Sequence, residues 1–354
     1  MSDHWAQDAL VPPRAHGEPL GTAVLKAVAE DFRVDEVLGF EPDGGVAHRL
    51  VLVEKKGVDT LHAARLLARA AQVPPRDVGF AGLKDRHAVA RQWFSLPMSR
   101  QAPDWSMLDD GRLRICRDEP HSRKLRRGAL RGNRFHLRLR ECSVDPLQLA
   151  QRAAKIAEEG VPNYFGPQRF GRDADNLRSV AAWLESGELP RGREARAFVY
   201  SAARSLLFNR VLAARVRAGT WAMLLPGERV NLAGRNSWFV ADVIDATLLE
   251  RLARHDIHPT GPMPGRGELP AGVAGELEAR VLAADAALVQ LLAQEGVEAS
   301  RRALRVCPED LAVARVDDGV ELSFGLTSGS YATMLVREMF ETATFAEGGD
   351  DAQD

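Results

Sequence analysis

The hydrophobic pattern changes twice along this chain of 354 residues, and this change constrains the fold more than any other feature. Before about residue 146, apolar and charged residues alternate with the period of two that is typical of half-buried strands, as in 32–38. Helical spacing then dominates to about residue 305, and alternation returns at 312–316 and 320–325. The order of strands, helical block and strands predicts an α+β fold with a helical insertion.

Individual elements follow from the same periodicities. We predict strands at 32–38, 49–54, 78–82, 91–97, 112–117, 132–140, 312–316 and 320–325. We predict helices at 59–71, 146–159, 174–186, 196–218, 276–295 and 330–341. The Gly- and Pro-rich segment 261–272 is expected to be a loop.

A run of positive charge begins before the strand predicted at 132–140 and continues through it. Eight Lys or Arg residues and no acidic residue lie between Arg123 and Arg140. Arginines can bind phosphates, and an interleaved aromatic such as Phe135 can stack on an unpaired base. The run therefore predicts contact with nucleic acid, although a solvated basic surface is the alternative. Within this run, we predict that Arg126, Arg127 and Arg138 bind RNA.

Composition excludes several classes of protein. The net charge is −2, so the chain as a whole is not a polycation. Its three cysteines, Cys116, Cys142 and Cys307, are too scattered for a zinc ribbon or a disulfide framework, and they favour a reducing, cytoplasmic location. The sequence contains no phosphate-binding loop, dinucleotide fingerprint or metal-ligand set, so no metal or other cofactor is expected. It also has no apolar run long enough to span a membrane, and its acidic C-terminal residues predict a disordered tail.

The segment FAGLKDRHAVARQ (80–92) contains the candidate catalytic group. Asp85 follows a short apolar run and lies between Lys84 and Arg86, two cations that favour the ionised carboxylate. An ionised carboxylate at a turn after a strand can serve as a nucleophile. On this chemistry alone, Asp85 could equally be an ordinary turn aspartate.

A second unusual segment is VPNYFGPQRFG (161–171). Three aromatic residues, Tyr164, Phe165 and Phe170, lie among polar residues and two glycines. The segment could line a site, or its aromatic side chains could fill the core.

Taken together, these motifs resemble those of the tRNA pseudouridine synthase D family. GLKDRHAVARQ is similar to the family signature around its catalytic aspartate, and VPNYFGPQRFG is similar to its N-Y-F-G-x-Q-R-F-G block. RGNRF (131–135), SAARSLLFN (201–209), LAGRNSWF (232–239) and GSYATMLVRE (329–338) match further blocks in family order. The resemblance covers about residues 20 to 341.

The resemblance implies roles for particular residues. Asp85 would be the catalytic aspartate, and the substrate-binding residues would be Lys26, Phe32, Asn133, Phe135 and Tyr331. Lys26 would also be a cation near the Asp85 carboxylate that keeps it charged. Tyr331 would stack on the target base in place of the more usual phenylalanine. Ala90 replaces a usual threonine and Thr327 a usual proline, which places the local loop geometry in question.

The resemblance also implies an architecture and a reaction. Residues 1–158 and 309–354 would form a catalytic domain with a mixed, largely antiparallel sheet, and 159–308 would form an α-rich insertion. The reaction would convert uridine to pseudouridine in tRNA without a cofactor. The expected target is uridine 13, in the D-arm region, with glutamate tRNA as the first candidate. No heptad pattern indicates a protein partner, so a monomer is expected.

Two questions stay open from the sequence. Asp85 could attack the ribose or remove a ribose proton while the glycosidic bond breaks. The chain could instead be a noncatalytic RNA-binding protein or chaperone, or a hydrolase or glycosylase that uses Asp85 as its nucleophile. RNA binding without an isomerised product would favour the former, and free uracil would favour the latter.

Overall fold

The computed structural model describes residues 3–99, 101–108, 111–171, 174–235, 237–267 and 271–344. The acidic tail lies outside these ranges. In chain order the helices are α1 (Asp3–Leu10), α2 (Thr60–Ala70), α3 (Pro146–Glu159), α4 (Asp175–Ser186), α5 (Arg193–Arg217), α6 (Ala246–Ala253), α7 (Gly272–Leu282), α8 (Ala286–Gln294) and α9 (Ala332–Arg337). The strands are β1 (Thr22–Leu25), β2 (Phe32–Leu38), β3 (His48–Lys56), β4 (Gly79–Phe80), β5 (Val89–Pro97), β6 (Leu113–His121), β7 (Leu130–Arg140), β8 (Val161–Pro162), β9 (Glu228–Leu232), β10 (Trp238–Ala241), β11 (Ile257–Met263), β12 (Ser300–Ala303), β13 (Arg305–Val306), β14 (Glu309–Val316), β15 (Gly319–Thr327) and β16 (Glu341–Thr344).

Contacts between residues divide the chain into two compact units. The helical unit comprises Met1–Glu18, Ala154–Cys307 and Ser330–Glu338, and the sheet unit comprises Pro19–Ala153, Pro308–Gly329 and Met339–Asp354. The contacts therefore group the first 18 residues and 330–338 with the helical unit, whereas the sequence prediction assigned both segments to the catalytic domain. The functional division into a catalytic and an inserted domain stays a prediction.

The sheet unit is built on one large sheet. Within the described residues its strands follow the order β14-β15-β7-β2-β5-β3-β6, with β4 beside β5, β1 beside β7 and β16 beside β1. The pairs β2–β5 and β1–β16 are parallel, and the other neighbours are antiparallel. The predicted α+β class with a mixed, largely antiparallel sheet is confirmed.

The two faces of this sheet have different chemistry. On β7, Phe135, Leu137 and Leu139 are buried, whereas Arg134 and His136 are exposed, as the period-two alternation predicts. Register places Phe135 beside Val34, Val34 beside Ala90 and Ala90 beside Lys55, so these four side chains share one face. We call it the inner face, and the face that contains Arg134 and His136 the outer face.

Helix α2 covers part of the inner face. Asp59 caps its first turn by accepting a hydrogen bond from His62 N at 2.8 Å. Ala64 and Leu67 of the helix pack with Val51 and Phe94 of the sheet in one buried cluster. Burial of this apolar stripe fixes the helix, and with it the residues beside its first turn, against the inner face.

The helical unit is organised around α5, which is 25 residues long and packs against α1, α4 and α7. Its inner residues, including Leu206, Phe208 and Leu212, are fully buried. A four-stranded sheet in the order β10-β9-β11-β12 also belongs to this unit. Among the helices of the described ranges, none has the length and apolar character needed to cross a bilayer.

Three secondary-structure predictions were wrong in part. The helix predicted at 276–295 is interrupted at Ala283–Asp285, where Asp285 Oδ1 accepts a hydrogen bond from Trp5 Nε1. The helix predicted at 330–341 spans only Ala332–Arg337, and β16 begins at Glu341. The loop predicted at 261–272 begins inside β11, whose prolines hid its strand character from a search for alternation.

Candidate active site

The loop that contains Asp85 connects β4 to β5. It is hydrogen-bonded to two buried polar side chains, those of Thr60 and Gln92. Gln92 Nε2 donates to Gly82 O at 2.8 Å, and Gln92 Oε1 accepts from Thr60 Oγ1 at 3.0 Å. The same Thr60 oxygen accepts from Lys84 N at 2.9 Å. Because Thr60 begins α2 and Gln92 lies within β5, the loop is tied to two rigid elements just before Asp85.

The cation that precedes Asp85 has a different partner from the one expected. Lys84 Nζ lies 2.8 Å from Glu36 Oε1, and both side chains are buried. Glu36 Oε2 also accepts from Trp93 N at 2.9 Å. Burial raises the pKa of Glu36, although the Lys84 charge opposes this effect. The positive charge of Lys84 is therefore directed into the sheet unit rather than toward Asp85.

Lys26 is the cation that pairs with Asp85. Its Nζ donates to Asp85 Oδ2, while Asp85 Oδ1 accepts from His87 N at 2.9 Å. Burial raises the pKa of Asp85, but the charge and hydrogen bond of Lys26, together with His87 N–H, outweigh it and hold the pKa below its usual value. The Asp85 side chain is 42% exposed, so an ionised carboxylate remains accessible from outside.

Phe32 and Phe135 lie beneath this ion pair on the inner face. Lys26 Nζ is 4.3 Å from the centroid of the Phe32 ring, and the Phe32 and Phe135 centroids are 6.0 Å apart in an edge-to-face arrangement. Phe135 in turn lies 5.4 Å from Phe324 on β15. Phe32 and Phe135 are only 7% and 6% exposed, so in this conformation they form the floor below Lys26 rather than an open stacking surface.

Asn133 precedes Phe135 by two residues on β7, so both side chains lie on the inner face. It lies beside Glu36 on one neighbouring strand and beside Leu326 on the other. Its Oδ1 atom is buried and accepts no hydrogen bond from any residue in the described ranges. A buried acceptor without a partner is rare in proteins, and a catalytic role or a bound water or ion is among its known explanations.

Arg126 and Arg127 lie on an exposed segment that contacts the start of the Asp85 loop. Gly128 N donates to Ala81 O at 3.0 Å, and Arg127 Cζ lies 6.0 Å from the centroid of the Phe80 ring. Neither arginine forms an ion pair with a carboxylate in the described part of the chain, and both are exposed. Their charge is therefore available to a ligand that approaches the start of this loop.

Arg138 has a different environment. It lies on the outer face, the opposite face from Phe135, and its Nη2 is 2.6 Å from Asp318 Oδ1. The other β7 arginines are also paired: Arg131 with Glu309, Arg134 with Asp310, and Arg140 with Asp31 and Asp318. The acid-free run of the sequence is thus largely neutralised on β7 by carboxylates from distant segments.

Tyr331 belongs to the helical unit and precedes α9. Its hydroxyl accepts a hydrogen bond from Arg169 Nε at 3.1 Å, and its ring lies 6.1 Å from that of Phe165, edge to face. Phe165 and the other aromatic residues of 161–171, Tyr164 and Phe170, are buried in the core of this unit. Of the two alternatives for this segment, its aromatic side chains fill the core.

Sequence reasoning missed the residues that support Asp85 from inside. Lys55, Glu36 and the Thr60–Gln92 pair were not selected, although all are buried polar groups on or next to the inner face. One signal was available: Val51, Val53 and Lys55 follow one another at a spacing of two, which places a lysine on an apolar face. Within the described residues, no group of three His, Cys, Asp or Glu side chains is arranged to hold a metal ion.

Comparison with known proteins agrees with the resemblance seen in the motifs. The family model described as tRNA pseudouridine synthase D (TruD) matches residues 16–195 and 193–339. A tRNA pseudouridine synthase D from Pseudomonas putida (strain GB-1) is 46% identical over 335 residues, which are 94% of this chain and 95% of the relative. The protein of the same name from Nitrosococcus oceani is 45% identical over 329 residues and covers 92% of each chain.

A solved structure gives the same result for the fold. A crystal structure from Methanosarcina mazei, named for the same family, superposes with a TM-score of 0.69 at 22% identity. The match covers 94% of this chain and 97% of the archaeal one. From the extent of the family match and the identity to its bacterial relatives, we conclude that this chain belongs to the tRNA pseudouridine synthase D family.

Proposed function

We propose that this chain isomerises uridine to pseudouridine in tRNA and that Asp85 is the residue that initiates the reaction. The proposal rests on family membership for the activity and on the Lys26–Asp85 ion pair for the residue. That ion pair keeps an accessible carboxylate ionised at a rigidly held turn. Nucleophilic attack and proton removal both require the ionised form.

The chemistry needs no external reagent. The N1–C1′ bond of uridine breaks, the uracil rotates, and a new bond joins C5 to C1′. C5 then loses its proton and N1 ends as N1–H, so no atom is gained or lost overall. Asp85 would either form a bond to the ribose and later release it, or accept a ribose proton and later return it. In both routes the atoms of substrate and product balance, so the chain would need only to position the nucleotide and supply the carboxylate.

A uridine within folded tRNA must leave its stack to reach Asp85. We assign the surroundings of the extruded base to Lys26, Phe32, Asn133, Phe135 and Tyr331. Asn133 Oδ1 is suited to accept a hydrogen bond from the nucleotide, since it is buried without a partner in the described residues. Phe32, whose ring lies under Lys26 Nζ, and the adjacent Phe135 would form an apolar floor for the base. From the family resemblance, Tyr331 would stack on the base.

The cationic segment that contains Arg126 and Arg127 would hold the tRNA backbone beside Asp85. Two exposed guanidinium groups that contact the start of the catalytic loop can bind phosphates without rearranging an internal ion pair. Of the three arginines predicted to bind RNA, Arg138 should contribute least to the affinity, because a phosphate would have to displace Asp318. Cytoplasmic location and a monomeric state are further parts of the proposal.

The proposed target is uridine 13 in the D-arm region, with glutamate tRNA as the first substrate to test. Purified protein would be incubated with an unmodified glutamate tRNA transcript, and pseudouridine would be mapped along the whole transcript. Pseudouridine at position 13 is expected. Tight binding without an isomerised product would support the alternative of a noncatalytic RNA-binding protein, and release of free uracil would support a glycosylase.

A further inference from the structure

Lys55 is a fully buried lysine on the inner face of the sheet unit. Its side chain is 0% exposed, and its ammonium group donates to three main-chain oxygens. These are Val58 O at 2.6 Å, Asp85 O at 3.1 Å and Lys84 O at 3.4 Å. The group therefore uses its three hydrogens on main-chain carbonyls, two of which belong to the catalytic loop.

The arrangement is unusual for a buried charge, which normally pairs with a carboxylate. Within the described residues, no carboxylate oxygen lies within ion-pair distance of Lys55 Nζ. The charged groups that face it are Asp85 and Lys84 of the loop, Asp59 at the start of α2, and Glu36 of β2. The positive charge of Lys55 is thus offset by carboxylates beyond ion-pair distance, and main-chain carbonyl groups hold the ammonium group in place.

We infer that Lys55 is a positioning residue for Asp85: its ammonium group holds the carbonyls of Lys84 and Asp85 so that the Asp85 side chain meets Lys26 and the substrate. This inference rests on the proposed function and extends it to a residue that touches no substrate. A neutral amine has one donor fewer and no charge, so the loop would lose its fixed geometry when Lys55 loses its proton.

The protonation state of Lys55 can change within an accessible pH range. Burial lowers the pKa of Lys55 to about 8, although Asp85 and Asp59 partly oppose this effect. If loop geometry depends on the charged form, the rate of isomerisation should fall as pH rises through about 8. The neighbouring Lys56 lies on the opposite side of β3 and pairs with Glu30 at the surface, away from the catalytic loop's carbonyls.

The pH dependence of stability has the opposite sign, and this separates a positioning role from a merely structural one. The folded pKa of Lys55 is lower than the unfolded value, so between these values the unfolded chain binds more protons than the folded chain. The contribution of Lys55 to stability therefore increases as pH rises from about 8 toward its usual value. Over this interval the unfavourable contribution of Lys55 ionisation to stability becomes smaller, so a falling rate cannot reflect unfolding caused by this group.

The test compares Lys55→Met with the matched surface variant Lys56→Met in the full-length protein. Single-turnover rates with glutamate tRNA transcript are measured from pH 6.5 to 9.5, together with tRNA affinity and the melting temperature at each pH. Lys55→Met should lower the rate at neutral pH by about 10- to 100-fold, the range expected for a misplaced catalytic group. It should keep tRNA affinity within about twofold and abolish the alkaline decline, and Lys56→Met should behave as the wild type.

Other results would overturn the inference. A Lys55→Met rate close to wild type would show that the loop is positioned without the ammonium group. If Lys55→Met does not fold, the wild-type profile decides, because a rate that stays level from pH 7.5 to 9 in folded protein would contradict the role. If no pseudouridine is formed by the wild type under any condition, the proposed function fails instead.

Discussion

Lys26 and Asp85 are separated by 59 residues in the sequence and form an ion pair in which the Lys26 ammonium group donates to Asp85 Oδ2. Lys26 adopts a left-handed backbone conformation, with φ of 61°, which is uncommon for a residue with a side chain. Its ammonium group is also held above the Phe32 ring at 4.3 Å. The backbone, the aromatic ring and the carboxylate together fix this cation beside Asp85.

Replacing Lys26 should change the pH dependence of the reaction. In the folded protein the pKa of Asp85 is lowered, so its stabilising contribution is present above its unfolded pKa and is lost as pH falls through the folded value. Lys26→Met leaves the burial that raises this pKa and removes its main opposing effect. The acid limb of the single-turnover rate should therefore move to higher pH.

Lys26→Arg is the matched control, because it keeps a positive charge beside Asp85. Its acid limb should stay closer to that of the wild type than the limb of Lys26→Met. Identical acid limbs in Lys26→Met and wild type would show that Lys26 does not control the ionisation of the catalytic group.

Arg126 and Arg127 should contribute directly to the salt dependence of tRNA binding. Each phosphate contact that is lost should reduce the slope of log K against log salt concentration by about 0.7 to 0.9. Arg126→Ala combined with Arg127→Ala should therefore reduce the slope by about 1.4 to 1.8 if both contacts are made. The measurement is a titration of labelled tRNA at a series of salt concentrations with catalytically intact protein.

Arg138→Ala tests, in the same assay, whether tRNA binds the outer face of the sheet rather than the segment that contains Arg126 and Arg127. Arg138 is paired with Asp318 on the outer face, so its replacement should change the slope by less than either Arg126→Ala or Arg127→Ala. A larger effect from Arg138 than from the exposed pair would mean that RNA binds the outer face and that its ion pairs open on binding.

Tyr331 should act through its ring, and its hydroxyl should have a secondary role. Tyr331→Phe removes the hydrogen bond from Arg169 Nε but keeps the aromatic surface, so most of the isomerisation rate should remain. Tyr331→Ala removes the ring and should lower the rate much further, since stacking on a base contributes about 1 to 3 kcal/mol. Equal losses in the two variants would assign the essential contribution to the hydroxyl.

The sheet unit could be predicted from the sequence because its strands follow simple alternation. The prediction at 32–38 has the bounds of β2, and helix α3 also begins and ends where predicted. The sheet of the helical unit was missed because its strands are short and β11 contains Pro259 and Pro262, which conceal its pattern. The break between α7 and α8 lies at Asp285, which accepts a hydrogen bond from Trp5, a residue 280 positions away, and local periodicity cannot reveal such a contact.

The site was predictable to a similar degree. Asp85 was identified from its motif. Its neighbours in sequence suggested Lys84 and Arg86 as its cations, whereas the family resemblance suggested Lys26, which provides the contact. A basic run in sequence likewise indicated free positive charge on β7, although Asp318, 180 residues from Arg138, neutralises part of it. Ion pairs between distant segments are properties of the fold, so composition alone cannot distinguish a free arginine from a paired one.

The most direct test of the account is the single-turnover reaction of Asp85→Asn with excess enzyme over tRNA. Asparagine has nearly the same shape as aspartate, so the variant should fold, melt as the wild type does and bind tRNA with near-normal affinity. It has no negative charge and cannot act as a nucleophile or base, so binding energy from the rest of the tRNA could no longer accelerate the reaction. We predict no detectable pseudouridine. Product formed at more than a small fraction of the wild-type rate would contradict the assignment of Asp85 as the catalytic residue.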